Sequence, residues 1–344
     1  MTEERKGIRR FGIIGAGWVT AHHLPAWGRQ EHRAQIVAIA DPDLAAARRR
    51  AQEFNIPGVY ASAEEMLESE ALDAVDICSP RETHVAMVRL AAGKRLDIHC
   101  QKPLARTHGE AVALIRELPA GPRLMVHENW RFRAHYRRVS QWLSEGLAGA
   151  IRQVNLEFLS SGMIPAADGS RPALTRQPFF RTQERLLVME VLIHHLDTLR
   201  FLLGELEVVS AWAERSNKDI VAEDVASITL RRRTDGVPVT VTASLAVHGA
   251  PPNPRDHLRI FGAEGTVELL GSILSIKGKT TRRQEFDPDA TYQASYDAAI
   301  AHFLDCLDGN IEFETAPQDN LKTLELVEEV YRLAAFDPTV EPTA

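Results

Sequence analysis

Cysteine is scarce in this chain: Cys78, Cys100 and Cys306 are the only three in 344 residues, and none stands in a CxxC or CxxH cluster. An odd, scattered set excludes a disulfide scaffold and a cysteine-rich metal module, and it is the usage of a reduced, intracellular protein. No apolar run approaches the ~20 residues of a membrane-spanning helix. The opening "MTEERKGIRRFGIIG" has no signal-like apolar core before a strand-like run begins. The expected location is the cytoplasm. A basic excess is also absent. The formal charge is -7 and no basic stripe follows any predicted element, so nucleic acid and an anionic membrane are not expected partners. The triplets Arg48, Arg49, Arg50 and Arg231, Arg232, Arg233 read as solvated faces. HExxH, paired CxxC and clustered His/Asp ligand patterns are missing, and no metal is expected.

What is present is the texture of a soluble globular protein, 44% hydrophobic and 25% charged, long enough for two domains. As far as residue 127, short apolar strands ("RFGIIG", "QIVAIAD", "DAVDICSP", "LDIHCQK", "RLMVHE") alternate with helical stretches such as "LAAARRRAQEF" and "HVAMVRLAAG". Strands apolar on both faces, separated by helices, indicate a doubly wound parallel sheet. After a helix near Tyr136–Glu145 the pattern changes. "IRQVNLEFLSS" and "VPVTVTASLAV" alternate apolar with polar residues, more strands follow around "DHLRIFGAEGTVELLG", with Gly262 and Gly265 as turn formers, and two helices near 292–308 and 317–335 close the chain. The expected fold is an α/β Rossmann domain over 1–127, then an α+β domain over 128–344. The latter is a large, mostly antiparallel, open-faced sheet with helices on one face. Its uncovered face calls for solvent or the same face of another subunit, which makes a homodimer or homotetramer the expected assembly.

Three stretches carry chemistry. In "GIIGAGWVTAHHLPAW", Gly15 and Gly17 end the first strand and open a helix, the arrangement that lets backbone approach a pyrophosphate at a helix N-terminus. The third glycine of GxGxxG is missing, and Thr20 stands there. Asp41 ends the second strand, where a carboxylate accepts from both adenosine ribose hydroxyls and repels a 2′-phosphate; NAD is favoured over NADP, and capping of the next helix is the other use of that side chain. Ser79 and Pro80 end the fourth strand, and "HCQKPLA" ends the fifth, placing Lys102 among the carboxyl-end loops where open α/β sheets bind ligands. In "RLLVMEVLIHHLDTLRFLLG", a uniform helix puts Glu190, His194 and Asp197 within about 60° of one another, opposite Leu192, Leu196, Leu199 and Leu203. That is either a solvated face or a histidine base set by a neighbouring carboxylate. His195 is rotated away from the pair and reads as a packing residue.

Together, "GAGWVTAHHLPA", "DAVDICSPRETHVAMVRLAAGKRLDIHCQKPLA", "HENWRFRAHYRRVSQWLSEGLAGAI", "IHHLDTLRFLLG" and "AHFLDCLDGN…LKTLELVEEVYRLAA" resemble the Gfo/Idh/MocA oxidoreductases almost end to end. The family's E-K-P reads here Gln101-Lys102-Pro103, and its D-x-x-x-H-x-x-D reads Glu190-x-x-x-His194-x-x-Asp197. The resemblance implies NAD held by Gly15, Ala16, Gly17, Trp18, Val19, Asp41, Ser79, Pro80, His84, Gln101 and Lys102. It implies a sugar or polyol whose hydroxyl meets Lys102 and loses its proton to His194, with Glu190 in place of the aspartate that steadies the histidine. Lysine as the base is an equal assignment at this point. Substrate contacts are expected from Asn129, Arg131, Arg181, His194 and Asp197, with His127 and Trp130 also at hand. "HENWRF" with "CQKPLA" is similar to the D-apiose dehydrogenase subgroup. The expected activity is NAD-dependent oxidation of a monosaccharide or polyol hydroxyl. An enzyme that retains its NAD for internal sugar redox or redox-assisted glycoside cleavage, and a non-catalytic dinucleotide-binding regulator, are the alternatives.

Overall fold

The computed structural model describes residues 7–339. They form two compact units, one of residues up to Phe132 together with Tyr292–Lys322, the other of Arg133–Thr291 together with residues from Thr323 onward. In the first unit β1 (Arg9–Ile14), β2 (Ala34–Ala40), β3 (Gly58–Tyr60), β4 (Ala74–Ile77), β5 (Asp97–Gln101) and β6 (Leu124–His127) alternate with α1 (Thr20–Gly28), α2 (Leu44–Phe54), α3 (Ala63–Ser69), α4 (Arg81–Gly93) and α5 (His108–Glu117). The second unit holds α6 (Ala134–Ser144), β7 (Ile151–Leu159), α7 (Pro172–Arg176), α8 (Ile193–Leu203), β8 (Leu206–Glu214), β9 (Val225–Arg232), β10 (Pro238–Ser244), β11 (Arg255–Gly262), β12 (Gly265–Leu270), β13 (Ile273–Gly278) and β14 (Arg282–Glu285). Two long helices, α9 (Pro288–Gly309) and α10 (Pro317–Ala334), each begin in one unit and end in the other.

The first sheet is parallel throughout, in the order β3-β2-β1-β4-β5-β6. β4 and β6 are buried along their whole length, as strands covered on both faces must be. The order reverses between β1 and β4, and the loops leaving their carboxyl ends flank that switch point. Only β3 escapes a sequence reading: three half-buried residues are too few to show a period.

The sequence expectation divided the chain once, between residues 127 and 128. The structure differs, because α9 from Tyr292 onward belongs to the first unit. Phe303 and Tyr296 join the core of Phe11 and Trp27, with the Phe11 ring 4.4 Å from Trp27 and 6.2 Å from Phe303. Arg9 pairs with Asp308 at 2.6 Å and Arg33 with Asp305 at 2.7 Å. A helix's own periodicity gives the width of its apolar stripe, not which sheet it covers.

The second sheet runs β14-β13-β12-β11-β7-β10-β9-β8, antiparallel except between β7 and β10. Val154, Leu156, Phe158, Ile228, Leu230, Val239, Val241, Leu258, Ile260, Val267 and Leu269 line its buried face. Its other face carries polar cross-strand partners, including Arg259 with Glu157 at 2.5 Å and His257 with Glu268 at 2.9 Å. Gly262 serves less as a turn former than as a close approach: a Cβ there would lie 2.1 Å from the Ala148 carbonyl oxygen.

On α6, His135 is buried against Tyr136 and Phe286, and neither ring nitrogen has a hydrogen-bond partner among the described residues. Burial, with the nearby Arg133 charge, lowers it from 6.5 to about 4. The neutral ring is therefore the folded form, and the unfolded chain takes up the proton first. Stability is complete above the ordinary histidine value and falls as pH drops from 6.5 toward 4, by about 3 kcal/mol in total. Urea titrations of His135→Leu and the parent at several pH values should show that loss only in the parent. Parallel curves would mean that the ring is hydrated.

Candidate active site

The first loop is shaped by contact with the second. Gly15 has φ +104°, and a Cβ there would sit 2.7 Å from the Cys78 carbonyl carbon and the Ser79 nitrogen, so the β1 and β4 loops press together only with glycine. Gly17 is exposed and its Cβ position is open. It precedes the start of α1 with Trp18, exposed, and Val19; the first N–H groups of a helix have no carbonyl one turn back to bond. Thr20 replaces the third glycine without obstruction, being fully buried with its hydroxyl donating to Gly17 O at 2.6 Å.

Asp41 is held by two backbone donors, Ala16 N to Oδ2 at 2.7 Å and Asp43 N to Oδ1 at 2.8 Å. The cap of α2 is Asp43, which accepts from Ala45 N and Ala46 N. Capping therefore does not explain Asp41. Its carboxylate stands beside the glycine loop with acceptor capacity left on each oxygen. Open space at Gly17, a helix start and an acid at the end of β2 fit the diphosphate and ribose of NAD.

Lys102 follows β5 at its carboxyl end, half-buried, with a cis bond to Pro103. His84 was expected among the cofactor contacts. It is instead 1% exposed, with Nδ1 2.7 Å from Pro103 O and Nε2 2.9 Å from Ser79 O. It ties the β4 and β5 loops together, and Ser79 and Lys102 are the residues those loops present. Ser79 Oγ lies 2.6 Å from Thr83 Oγ1, and Pro80 caps α4. Two expected substrate donors are committed elsewhere. The buried Arg131 guanidinium donates to Glu314 O at 2.9 Å and Asp319 Oδ2 at 2.7 Å, and Asn129 Nδ2 donates to Ser295 Oγ at 2.7 Å. Both hold the returning segment within the first unit. His127 is fully buried, its Nδ1 3.1 Å from His99 Nε2. The Trp130 ring packs edge-on to Tyr292.

In the second unit, Glu190 and His194 do not lie on one uniform helix. Leu187–Leu192 forms a wider π-helical turn, and α8 begins at Ile193. The spacing between the two residues crosses that junction, so the angle expected from a regular helix does not apply. Nor is one side of α8 solvated: from Ile193 to Arg200 every residue is buried. His194 keeps 8% exposure and Glu190 is half-buried. Asp197, expected to touch substrate, is fully buried and accepts from Thr323 Oγ1 at 3.1 Å, while Arg200 Nη1 donates to the same hydroxyl at 2.8 Å. That contact ties α8 to α10. Arg181, exposed, ends the turn Pro178–Arg181, which Phe180 anchors by its buried ring.

Two acids absent from the sequence reading anchor this segment. Glu223 takes the backbone N–H groups of Leu186 and Val188 and the Tyr331 hydroxyl, all buried; burial pushes its carboxyl up. Asp256 accepts from His195 Nε2 at 2.9 Å and the Tyr136 hydroxyl at 2.7 Å. Burial alone would raise Asp256, but His195, Arg133 and Tyr136 outweigh it and hold the carboxyl well below the usual range. The signal for each was a lone acid next to an apolar strand pattern, which needs buried donors.

A dinucleotide-type switch point in one unit and an open sheet in the other define a class of two-part oxidoreductase. Residues 9–127 match the model described as an oxidoreductase family with an NAD-binding Rossmann fold, and residues 136–268 match the GFO/IDH/MocA C-terminal domain; the chain belongs to the Gfo/Idh/MocA family. Its relatives include the D-apiose dehydrogenase of Paraburkholderia graminis, 34% identical over 97% of this chain and 90% of that protein. The D-apiose dehydrogenase of Rhizobium rhizogenes is 29% identical over 96% of each. A crystal structure of an oxidoreductase from Agrobacterium radiobacter in complex with NAD+, L-tartaric acid and magnesium superposes with a TM-score of 0.87 at 30% identity, covering 96% of this chain and 97% of that one.

Proposed function

We propose that this oxidoreductase oxidises a hydroxyl of a small sugar, D-apiose or a pentose of similar size, in the cytoplasm, with NAD as the acceptor. The observation that carries the reading is Lys102, held at the carboxyl end of β5 by the His84 clamp beside the glycine loop, in a chain 34% identical to a D-apiose dehydrogenase. Gly15, Ala16, Gly17, Trp18, Val19, Asp41, Ser79, Pro80 and Gln101 would hold the cofactor, which when bound supplies the hydride acceptor. An alcohol is a poor acid, so its oxidation needs a base and a cation for the developing alkoxide. The Lys102 ammonium supplies the cation, and the His194 imidazole takes the hydroxyl proton. Glu190 steadies that imidazole, and Arg181 offers the sugar a donor.

The test is a panel of sugars and polyols given NAD or NADP in parallel, with reduction followed at the NADH absorbance band. NADH released in step with sugar loss is expected; no reduction with any sugar overturns the proposal. Retention of reduced cofactor on the protein would select internal redox instead.

Cofactor choice should rest on Asp41. Asp41→Ser combined with Pro42→Arg should move the NADP-to-NAD ratio of kcat/KM by about a hundredfold, the scale of losing charge-assisted hydrogen bonds and gaining a phosphate partner. An unchanged ratio would confine Asp41 to its two loop contacts. Assembly through the open sheet is part of the same proposal, supported by Trp212 (61% exposed) and Val209 (52% exposed) on β8. Light scattering should give two or four times the chain mass, and a monomer would reject it. Among the described residues no helix is long and apolar enough to cross a membrane.

A further inference from the structure

Asp76 is an acid in the middle of β4, a strand buried along its length. Two imidazoles and an indole donate to it, His23 Nδ1 at 2.7 Å and Trp27 Nε1 at 2.7 Å on Oδ2 and His99 Nδ1 at 3.0 Å on Oδ1, with the Cys78 thiol beside them. His99 stands opposite Asp76 in the β4/β5 register. The other nitrogen of His23, Nε2, lies 2.7 Å from Gln101 Nε2, and Gln101 Oε1 accepts the backbone N–H of Lys102 at 3.2 Å. An unbroken set of contacts thus runs from Asp76 to Lys102, and Asp76, His23 and Gln101 are all buried. Burial would raise the Asp76 carboxyl, but His23 and His99 outweigh it and hold it well below the usual range.

Chemistry fixes the direction of this chain. A backbone N–H only donates, so the amide oxygen of Gln101 faces Lys102 and its NH2 faces His23. His23 Nε2 must then accept, which leaves the ring's single proton on Nδ1, given to Asp76. We propose that Asp76 and His23 are positioning residues for Lys102: Asp76 fixes the tautomer of His23, His23 fixes the amide of Gln101, and the amide holds the lysine backbone. Glutamine at position 101 is part of the device. A carboxylate has no proton to give, so glutamate in the same two contacts would force a second proton onto His23.

His23, His99 and His127 also bring one ring nitrogen each within 4.8 Å of one another. The His99 to His127 contact at 3.1 Å is filled by one proton, as is each contact of His23, so the trio belongs to the proton network. The proposal rests on Lys102 facing the reacting hydroxyl, and its test has an arm independent of that reading.

Long-range proton–nitrogen NMR of the 15N-labelled full chain at neutral pH, with His23 identified by its loss in His23→Gln, should show one proton, on Nδ1. Gln101→Glu should place protons on both nitrogens. In kinetics with the sugar found above, His23→Leu should lower kcat by about tenfold with the KM for NAD unchanged. In a Gln101→Ala background the same substitution should cost about nothing further; a merely structural role would leave the two losses additive. A wild-type His23 protonated on Nε2 or on both nitrogens overturns the proposal. So do additive losses, or one equivalent of zinc retained through dialysis against a chelator. If no sugar is oxidised, the reading of Lys102 falls while the spectra still decide the tautomer chain.

Discussion

Replacing Lys102 with alanine should lower kcat by about 10³-fold, about 4 kcal/mol of transition-state stabilisation, while the Kd for NADH stays within about twofold of the parent. The separation follows from where the residue sits. In the proposed site Gly15, Gly17, Asp41 and Ser79 shape the cofactor side through backbone, carboxylate and hydroxyl, and among the described residues hydrogen bonds from them run to one another's loops and to Thr20, Asp43 and Thr83. Lysine and arginine then distinguish the two assignments that the sequence leaves open. Arginine keeps the charge but does not give up its proton near neutral pH. Partial recovery in Lys102→Arg marks a cation serving a His194 base, and no recovery together with an active His194→Asn marks lysine as the base. Stopped-flow hydride transfer and NADH fluorescence titration make both measurements. Turnover near the parent level in Lys102→Ala would remove the residue from the chemistry altogether.

How much of this was legible in the sequence depends on the range of the interaction that decides each feature. The parallel sheet, the glycine turn and the Lys102 loop are written in neighbouring residues: apolar runs, Gly15 and Gly17, a Pro after the lysine. They stand where the strand pattern placed them. Features set by distant partners were not legible. Arg131 and Asn129 look like free donors until Glu314, Asp319 and Ser295 arrive from a segment more than 150 residues on. Asp41 and Asp43 are both plausible caps by type, and only backbone geometry assigns the cap to Asp43. Asp76 and His99 are the reverse case. Each is polar inside an apolar parallel strand, and strand register alone makes them neighbours. That pairing was within reach of the sequence, whereas the closure through His23 and Gln101 was not.

The segment carrying His194 shows the same division, and it yields the prediction with the largest effect on stability. A periodic pattern of leucines opposite Glu190, His194 and Asp197 describes an amphipathic helix with a wet face. The structure buries every residue from Ile193 to Arg200, and three of the polar ones, His195, Asp197 and Arg200, meet partners from other elements. Thr323 meets Asp197 and Arg200, and Asp256 on β11 meets His195. Asp256→Ala should therefore cost about 3–5 kcal/mol, since it strands the Tyr136 hydroxyl and the His195 ring away from water and removes the carboxylate 3.8 Å from Arg133. The carboxyl is depressed in the folded state, so its contribution is complete above the ordinary aspartate value and is lost as pH falls through the lower, folded one. At neutral pH the variant should thus show its full deficit in urea midpoint. Asp256→Asn, which keeps one acceptor and the volume, should lie between. Because His195 adjoins His194, a shift of α8 should also lower kcat in Asp256→Asn under conditions where the fold is intact. An alanine variant with a parental midpoint would mean that α8 is held by its leucines alone, and that the buried acid is incidental to where His194 stands.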